Sequence, residues 1–217
     1  MGFSLLILLV IMAAAILWRY GLRRGHQLSF IENFTFHPSI KKKVADQYPH
    51  LNHEQIELIF DGLRSYFHIC NKANRRMVAM PSQAVDVAWH EFIICTRAYE
   101  HFSKKALGRF LHHTPTEAMT TPTHAEEGIK RAWRLSCMKE RINPKAPERL
   151  PLRFAIDGSL EIENGFKYSL NCKSQLNAGN SSTGGYCAGD IGCSSGDASS
   201  CGGSGCGSGC GGGGGGD

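Results

Sequence analysis

The chain begins with a long apolar run. Residues 3–18, FSLLILLVIMAAAILW, carry no charged side chain, and with its flanks the run is about 17 to 19 residues long. A helix of roughly 20 such residues crosses the hydrocarbon core of a bilayer. Trp18 and Tyr20 end the run, where aromatic side chains favour the membrane interface. The pattern therefore predicts a transmembrane helix within residues 1–24.

A secretory signal peptide is the alternative interpretation of this run. Such a signal has basic residues before the apolar segment and a small-residue cleavage site after it. Here the basic side chains follow the run, at Arg19, Arg23 and Arg24 and again at residues 41–43. Because positive charge favours the cytoplasmic side, we expect an uncleaved single-span anchor with its N-terminus outside and the body in the cytoplasm. There the nine cysteines would be free thiols or metal ligands.

Two helical patterns follow the anchor. A short helix is predicted at residues 36–48, entered at Pro38. A longer helix is predicted at residues 52–71, where Asn52 is a good N-cap and Gln55 occupies the capping-box position. Its core face is an apolar stripe at helical spacing: Ile56, Ile59, Phe60, Leu63 and Phe67.

Two further helices are predicted around a loop. Pro81–Ser82 opens a helix that continues through residues 85–102, and Gly108 is expected to break or end the next stretch of helix. Residues 114–123 are predicted to form a loop, and Thr123 is the expected cap of a last helix. The core stripe of the first of these helices is Val85, Ala88, Trp89, Phe92, Thr96 and Tyr99, and that of the second is Ile129, Ala132, Trp133 and Cys137.

The pattern changes to alternation near the end of the body. Phe154 and Ile156 stand before Asp157–Gly158, and Leu160 and Ile162 stand after it. Asp-Gly between alternating runs is a strong β-hairpin signal. Residues 25–170 are therefore predicted to form a compact, mainly α domain that is closed by a small β-hairpin.

The remaining residues, 171–217, have no apolar periodicity. Residues 178–217 contain 17 glycines and five cysteines, a composition that predicts disorder. The spacing of these cysteines is poor for a fixed zinc site, although flexible thiolates can bind soft metals. A low-complexity linker or interaction tail is the other interpretation. The five cysteines are Cys187, Cys193, Cys201, Cys206 and Cys210.

Charge adds little to this picture. Residues 1–170 hold 23 Lys and Arg against 16 Asp and Glu, whereas residues 171–217 hold one Lys and three Asp. A mildly basic body without a dense basic face or a recognition motif does not indicate nucleic-acid binding.

Candidate chemistry lies on the helix that begins at Pro81–Ser82. Asp86 and His90 are one turn apart and share a face beside the core stripe. His101 is about 16 Å further along an unbroken helix, too far to share an ion with them. A third ligand would come from His112 or His113, because Gly108 lets the chain turn back. Adjacent residues point in different directions, so one of this pair would face His90.

Three interpretations of this group stay open. Asp86 and His90 can form a structural pair, they can bind zinc or another divalent transition metal with a third ligand, or they can act in acid–base catalysis. The spacing has no motif as specific as HExxH or paired CxxC.

Residues 86–115, DVAWHEFIICTRAYEHFSKKALGRFLHHTP, resemble the bacterial glycine-rich domain-containing proteins, a family of unknown function, and more distantly the plant glycine-rich domain proteins. The matching motifs include Trp89–His90, Gly108 to Phe110, and His112 to Pro115. The family has a Phe-Cys pair where this chain has Phe102 and Ser103, and this departure speaks against an essential thiol at that place. The resemblance implies importance for Asp86, His90 and His113 and implies no reaction.

The sequence thus predicts a single-pass protein of the bacterial inner membrane. Its cytoplasmic helical domain would be a binding or scaffold module that holds one transition metal ion, with an unknown protein partner. The alternatives are a membrane-tethered, metal-dependent enzyme of hydrolase type and an interaction protein without metal.

Overall fold

A computed structural model describes residues 2–113, 122–170, 186–187 and 191. These residues form seven helices and a two-stranded parallel sheet, so the expectation of a mainly helical protein is confirmed. The elements are α1 (Gly2–Glu32), α2 (Pro38–Gln47), α3 (His53–Lys72), α4 (Gln83–Ile94), α5 (Thr96–Leu107), α6 (Pro122–Glu140), α7 (Leu152–Ser159), β1 (Tyr168–Ser169) and β2 (Tyr186–Cys187).

The first helix has two parts. Its 31 residues include an N-terminal portion whose described side chains are exposed as far as Arg23. By length and composition, α1 is able to cross a membrane. Its last two turns belong to the body, since Ile31 is fully buried and Leu28 and Phe30 pack against the core. One continuous helix therefore joins the apolar segment to the helical domain.

The core is built around α3. The predicted capping box is present, because the Asn52 side chain accepts from the Gln55 amide and the Gln55 side chain accepts from the Asn52 amide, both at 2.9 Å. Phe67 packs against Phe92 and Phe102, with ring centroids 6.3 and 4.7 Å away. Such aromatic contacts from α3, α4 and α5 stabilise the centre of the domain.

The predicted helix through residues 85–102 is broken. Cys95, with ψ 59°, leaves the helical conformation, so α4 ends at Ile94 and α5 begins at Thr96. β-Branched residues on both sides of Cys95 have weak helix propensity, which makes this a favourable place for a break. Gly108 ends α5 as predicted, and its φ of +69° is the left-handed conformation that glycine adopts at little cost.

The predicted β-hairpin is wrong. Residues 152–159 form α7, and Asp157–Gly158 lies inside this helix. Ile156 and Leu160 are both buried, and their spacing of four residues fits one helix face. Phe154 is buried on another side of the helix, where it packs edge-on against Trp133. The carboxylate of Asp157 is engaged far away in sequence, on the start of α4, so tertiary contacts decide the local structure. The strand that does form, β1, pairs in parallel with β2, whereas a hairpin is antiparallel.

Two other expectations change at the C-terminal side. The sequence favours Thr123 as the cap of the last helix, but α6 already begins at Pro122, which is favoured in a first turn because proline needs no amide partner there. The composition predicts disorder throughout residues 171–217, but Tyr186–Cys187 form β2 and Ile191 is only 9% exposed. Backbone pairing with β1 and burial of an apolar side chain oppose the ordering entropy at these positions. The rest of the tail and the loop at residues 114–121 lie outside the described residues.

Candidate metal centre

The start of α4 fixes two of the three candidate ligands. Ser82 caps the helix by accepting from the Val85 amide. Asp157 of α7 accepts from the Ser82 hydroxyl at 2.6 Å and from two further amides of the first turn. Because these hydrogen bonds hold the start of the helix in place, they also fix where the side chains of its first turns lie. Asp86 then projects from the first turn and His90 from the next.

The third ligand arrives on the segment after α5. Gly108 reverses the chain, and residues 109–113 return alongside α4. The Tyr99 hydroxyl donates to the Leu111 carbonyl at 2.5 Å and accepts from the Trp89 indole at 3.1 Å. Burial raises the pKa of Tyr99 to about 12, so its phenol keeps the donated proton at neutral pH. This relay connects α4 and α5 to the segment that carries His113.

Asp86, His90 and His113 converge. Each offers a ligand atom, and these three atoms lie within 4.8 Å of one another. Nε2 of His113 is 3.0 Å from Oδ1 of Asp86 and 3.2 Å from Nε2 of His90. Nε2 of His90 is 3.7 Å from Oδ2 of Asp86. Asp86 and His90, which share a face of α4, therefore form one cluster with His113, which follows His90 by 23 residues.

One contact of the cluster is an ordinary hydrogen bond, since Nε2 of His113 can donate to Oδ1 of Asp86 over 3.0 Å. The contact with His90 is different. Nε2 of His90 lies 3.2 Å from Nε2 and 3.4 Å from Nδ1 of His113, and the two rings are inclined by 75°, so this nitrogen lies over the His113 ring. A cation bound by all three groups would take the place of the proton between Asp86 and His113 and would need the half-exposed His90 ring to turn.

The separations also suit a metal ion. Imidazole nitrogens and carboxylate oxygens bind zinc at about 2.0–2.2 Å, so neighbouring ligand atoms around one ion lie roughly 3.0–3.5 Å apart. Two of the three closest contacts fall in this range, at 3.0 and 3.2 Å. Two imidazoles and one carboxylate are ligands that zinc and iron(II) accept.

The cluster is supported on one side and open on the other. The Trp89 ring packs edge-on against the His113 ring, with centroids 4.5 Å apart. The side chain of His113 is 15% exposed and that of Asp86 is 22% exposed, but that of His90 is 50% exposed. An ion held here would keep coordination positions on the solvent side.

The other candidate ligands take different places. His112 is exposed, and its ring packs at a tilt against Phe110 with centroids 4.8 Å apart, so the structure brings His113 and not His112 to the cluster. His101 is exposed on α5, outside the group of three ligands. Of the tail cysteines, Cys187 lies in β2, and Cys193, Cys201, Cys206 and Cys210 lie outside the described residues.

Sequence reasoning misses several supporting residues. Tyr99 and Trp89 have core positions by spacing, and nothing in the spacing indicates that their polar atoms meet. The sequence pattern places Asp157 in a turn. Tyr48 packs against the core, where burial raises its pKa to about 12, and the negative charges of Asp157 and Asp86 contribute to the rise. Its place before Pro49, at the end of a predicted helix, is the signal that the chain turns there.

These features define a class: a mainly helical protein with an N-terminal apolar helix and an open cluster of two imidazoles and one carboxylate. A model of the UCP032817-like family matches residues 26–191, and the chain belongs to this uncharacterised family. The match includes all three residues of the cluster. Searches of curated proteins and of solved structures returned no significant match.

Proposed function

We propose that this protein is a membrane-anchored binding module that holds one divalent transition metal ion at Asp86, His90 and His113. The observation that carries the proposal is the convergence of three ligand atoms within 4.8 Å from two separate elements. The negative charge of Asp86 beside two imidazole nitrogens supports a cation there. The half-exposed ring of His90 supports an ion that an external ligand can reach.

Metal analysis of the full-length chain tests the ion. The protein is purified in detergent without affinity metal, and the tail cysteines are replaced by serine so that their thiols do not add to the count. We expect about one zinc, iron or manganese ion per chain. His90→Ala should abolish it, whereas His101→Ala, which changes an exposed histidine outside the cluster, should keep it. Unchanged metal content in His90→Ala would remove this residue from the site.

The same preparation distinguishes the two adjacent histidines. His113→Ala should lose the ion and His112→Ala should retain it. If no variant and no wild-type preparation contains metal after incubation with zinc, iron or manganese, the cluster is a structural pair. The protein would then be an interaction protein without metal.

We propose further that α1 anchors the chain in the bacterial inner membrane as a single span, with the N-terminus outside and the body in the cytoplasm. The exposed apolar side chains of α1 and the arginines that follow them support this topology. A reporter fused after Asp217 should read as cytoplasmic. A periplasmic signal would overturn this topology, and a mature mass that lacks the first residues would overturn the anchor.

A metal-dependent hydrolase is the second candidate function. Catalytic zinc sites use three protein ligands and leave a position for water, and the open side at His90 provides one. Hydrolysis of p-nitrophenyl esters or phosphates should then require added metal and be lost in His90→Ala. Full metal occupancy without hydrolysis would favour the binding module. We retain the proposed relation to the bacterial glycine-rich domain-containing proteins, which assigns no activity.

A further inference from the structure

A second polar feature lies where α1 leaves its apolar portion. A cleft of about 180 Å³ opens between α1, the turn after α3 and the end of α5. This volume is well above the roughly 10–15 Å³ that one water needs by the same measure. Four arginines from these three elements line it: Arg23, Arg24, Arg75 and Arg109. No carboxylate is among its lining residues in the described part of the chain.

One of the four arginines has a structural role. Arg24 donates through Nη2 to the carbonyls of Asn71 and Lys72, at 3.0 and 3.1 Å, and so satisfies the end of α3. The other three are not in ion pairs with carboxylates of the described residues. Arg109 makes one long contact, 3.5 Å to the Phe110 carbonyl. Three guanidinium groups are thus available to an external anion.

The backbone brings these groups together. A Cβ atom on Gly108 would lie 3.3 Å from Nη2 of Arg23, so the bare glycine lets this guanidinium approach the end of α5. Asn74 and Arg75 both have positive φ, at 49° and 70°, in the turn that carries Arg75 to the cleft. Non-glycine residues rarely adopt this conformation. The cationic cleft is therefore a product of the fold and not of one basic run.

The cleft lies at headgroup depth if α1 spans the bilayer. Tyr20 borders it, and Arg23 follows only three residues later, about 4.5 Å further along the helix. The polar layer on each face of a bilayer is roughly 5–8 Å thick. Arginine forks match phosphate oxygens, and basic pockets at this level bind the headgroups of anionic lipids.

We infer that the cleft of Arg23, Arg75 and Arg109 binds the phosphate group of an anionic phospholipid at the membrane surface. The inference rests on the proposed anchor and not on the metal ion. Arg75 and Arg109 are sensitive positions for a test because they come from the body, so their charge is not required for the topology of α1.

The experiment uses the full-length chain in a non-ionic detergent. It is titrated with phosphatidylglycerol or with phosphatidylcholine of the same acyl chains, and the lipid-bound fraction is read by native mass spectrometry. A third titration adds inorganic phosphate to the phosphatidylglycerol complex. The variant is Arg75→Gln/Arg109→Gln, and the matched control is Arg97→Gln/Arg134→Gln, which removes two exposed arginines from α5 and α6. Single Arg75→Gln serves if the double variant does not fold.

We expect the wild type to bind phosphatidylglycerol at least tenfold more tightly than phosphatidylcholine. The double variant should lose about thirty-fold for phosphatidylglycerol, or about fivefold for Arg75→Gln alone, and the control should behave as wild type. Unchanged binding in the cleft variants would overturn the site. Displacement of the lipid by millimolar inorganic phosphate would assign the cleft to free phosphate and overturn the lipid assignment.

Failure of the anchor is recognised separately. Wild-type membranes are washed with alkaline carbonate before the titration. Release of the protein would overturn the anchor and, with it, the position of the cleft at the membrane surface. Retention of the protein together with lipid binding that ignores Arg75 and Arg109 would overturn the cleft alone.

Discussion

Two aspartates lie at the start of α4: Asp86 belongs to its first turn, and Asp157 contacts it from α7. Their surroundings are different. Asp157 is 2% exposed, and its carboxylate accepts from the Ser82 hydroxyl and from three backbone amides, those of Gln83, Ala84 and Phe166. Asp86 keeps 22% side-chain exposure. Its carboxylate oxygens lie 3.0 Å from Nε2 of His113 and 3.7 Å from Nε2 of His90.

The difference separates a structural carboxylate from a proposed metal ligand. Each oxygen of Asp157 has donors, and the positive end of the α4 dipole adds to its stabilisation. The carboxylate of Asp86 instead faces two imidazole nitrogens at a half-open surface. A satisfied, buried group stabilises the fold, whereas a half-open carboxylate beside two imidazoles is what the proposed metal ion would use.

The strongest test of this comparison is Asp157→Ala. Four donors would lose their acceptor at a buried helix end, and breaking such a network costs about 4 kcal/mol. Thermal unfolding of the full-length chain should then shift downward by about 10 °C. A shift as small as that of Asp61→Asn, an exposed aspartate on α3, would contradict the structural role.

Asp86→Asn should have the opposite effect to Asp157→Ala, with a large loss of metal affinity and little loss of stability. The amide has nearly the same volume but is a poor metal ligand, so metal affinity should fall about 100-fold or more. The free energy of unfolding of the metal-free protein should change by less than about 0.5 kcal/mol, as for other surface substitutions. Competition with a chromophoric chelator measures the first quantity and denaturant titration the second. Equal losses of stability in Asp86→Asn and Asp157→Ala would remove the distinction.

The helices that sequence periodicity predicts best are those with local signals. Asn52 and Gln55 mark the start of α3, and Gly108 marks the end of α5, because capping chemistry depends on neighbouring residues. Asp157 shows the opposite case. Its Asp-Gly pair favours a turn locally, but its carboxylate accepts a hydrogen bond from Ser82, which lies 75 residues earlier. Such a contact has no local signature.

The same reasoning explains the site. Asp86 and His90 share a helix face that the spacing of four residues determines. The choice between His112 and His113 depends on how residues 109–113 return after Gly108, and that path is set by the Tyr99 relay. The spacing therefore cannot decide between these two histidines, and three-dimensional packing is needed to select one.

Tyr99→Phe tests that relay with a smaller effect. The variant keeps the ring but removes the donor to Leu111 and the acceptor for Trp89. We expect a loss of about 1–2 kcal/mol in the free energy of unfolding and about a tenfold lower metal affinity, since groups that orient ligands have effects of this size. Tyr66→Phe is the matched control, because its hydroxyl donates to the Val78 carbonyl at 2.9 Å outside the cluster. It should lose stability but keep its metal affinity.

The smallest expected effect concerns a histidine outside the cluster. The His68 side chain is 13% exposed and lies 3.2 Å from a Glu32 carboxylate oxygen. Burial lowers the pKa of His68 to about 4, the charge of Lys139 adds to this, and Glu32 opposes it. The pKa of a histidine in an unfolded chain is near 6.5. Between about pH 4 and pH 6.5, the unfolded chain therefore binds a proton at His68 that the folded chain does not bind. The stability from neutral His68 is present above pH 6.5 and is lost as the pH falls toward 4.

His68→Gln should therefore reduce the acid sensitivity of the fold. Between pH 7.5 and 4.5 the wild type should lose about 1 kcal/mol more of its free energy of unfolding than the variant, a value reduced for solvent screening. Denaturant titration at several pH values measures this difference in slope, with His101→Gln as an exposed control. Parallel curves for wild type and His68→Gln would show that His68 is not held neutral by burial. The acid sensitivity that remains in the variant would then come from other groups, and metal-loaded and metal-free protein compared at each pH would show how much of it belongs to the cluster.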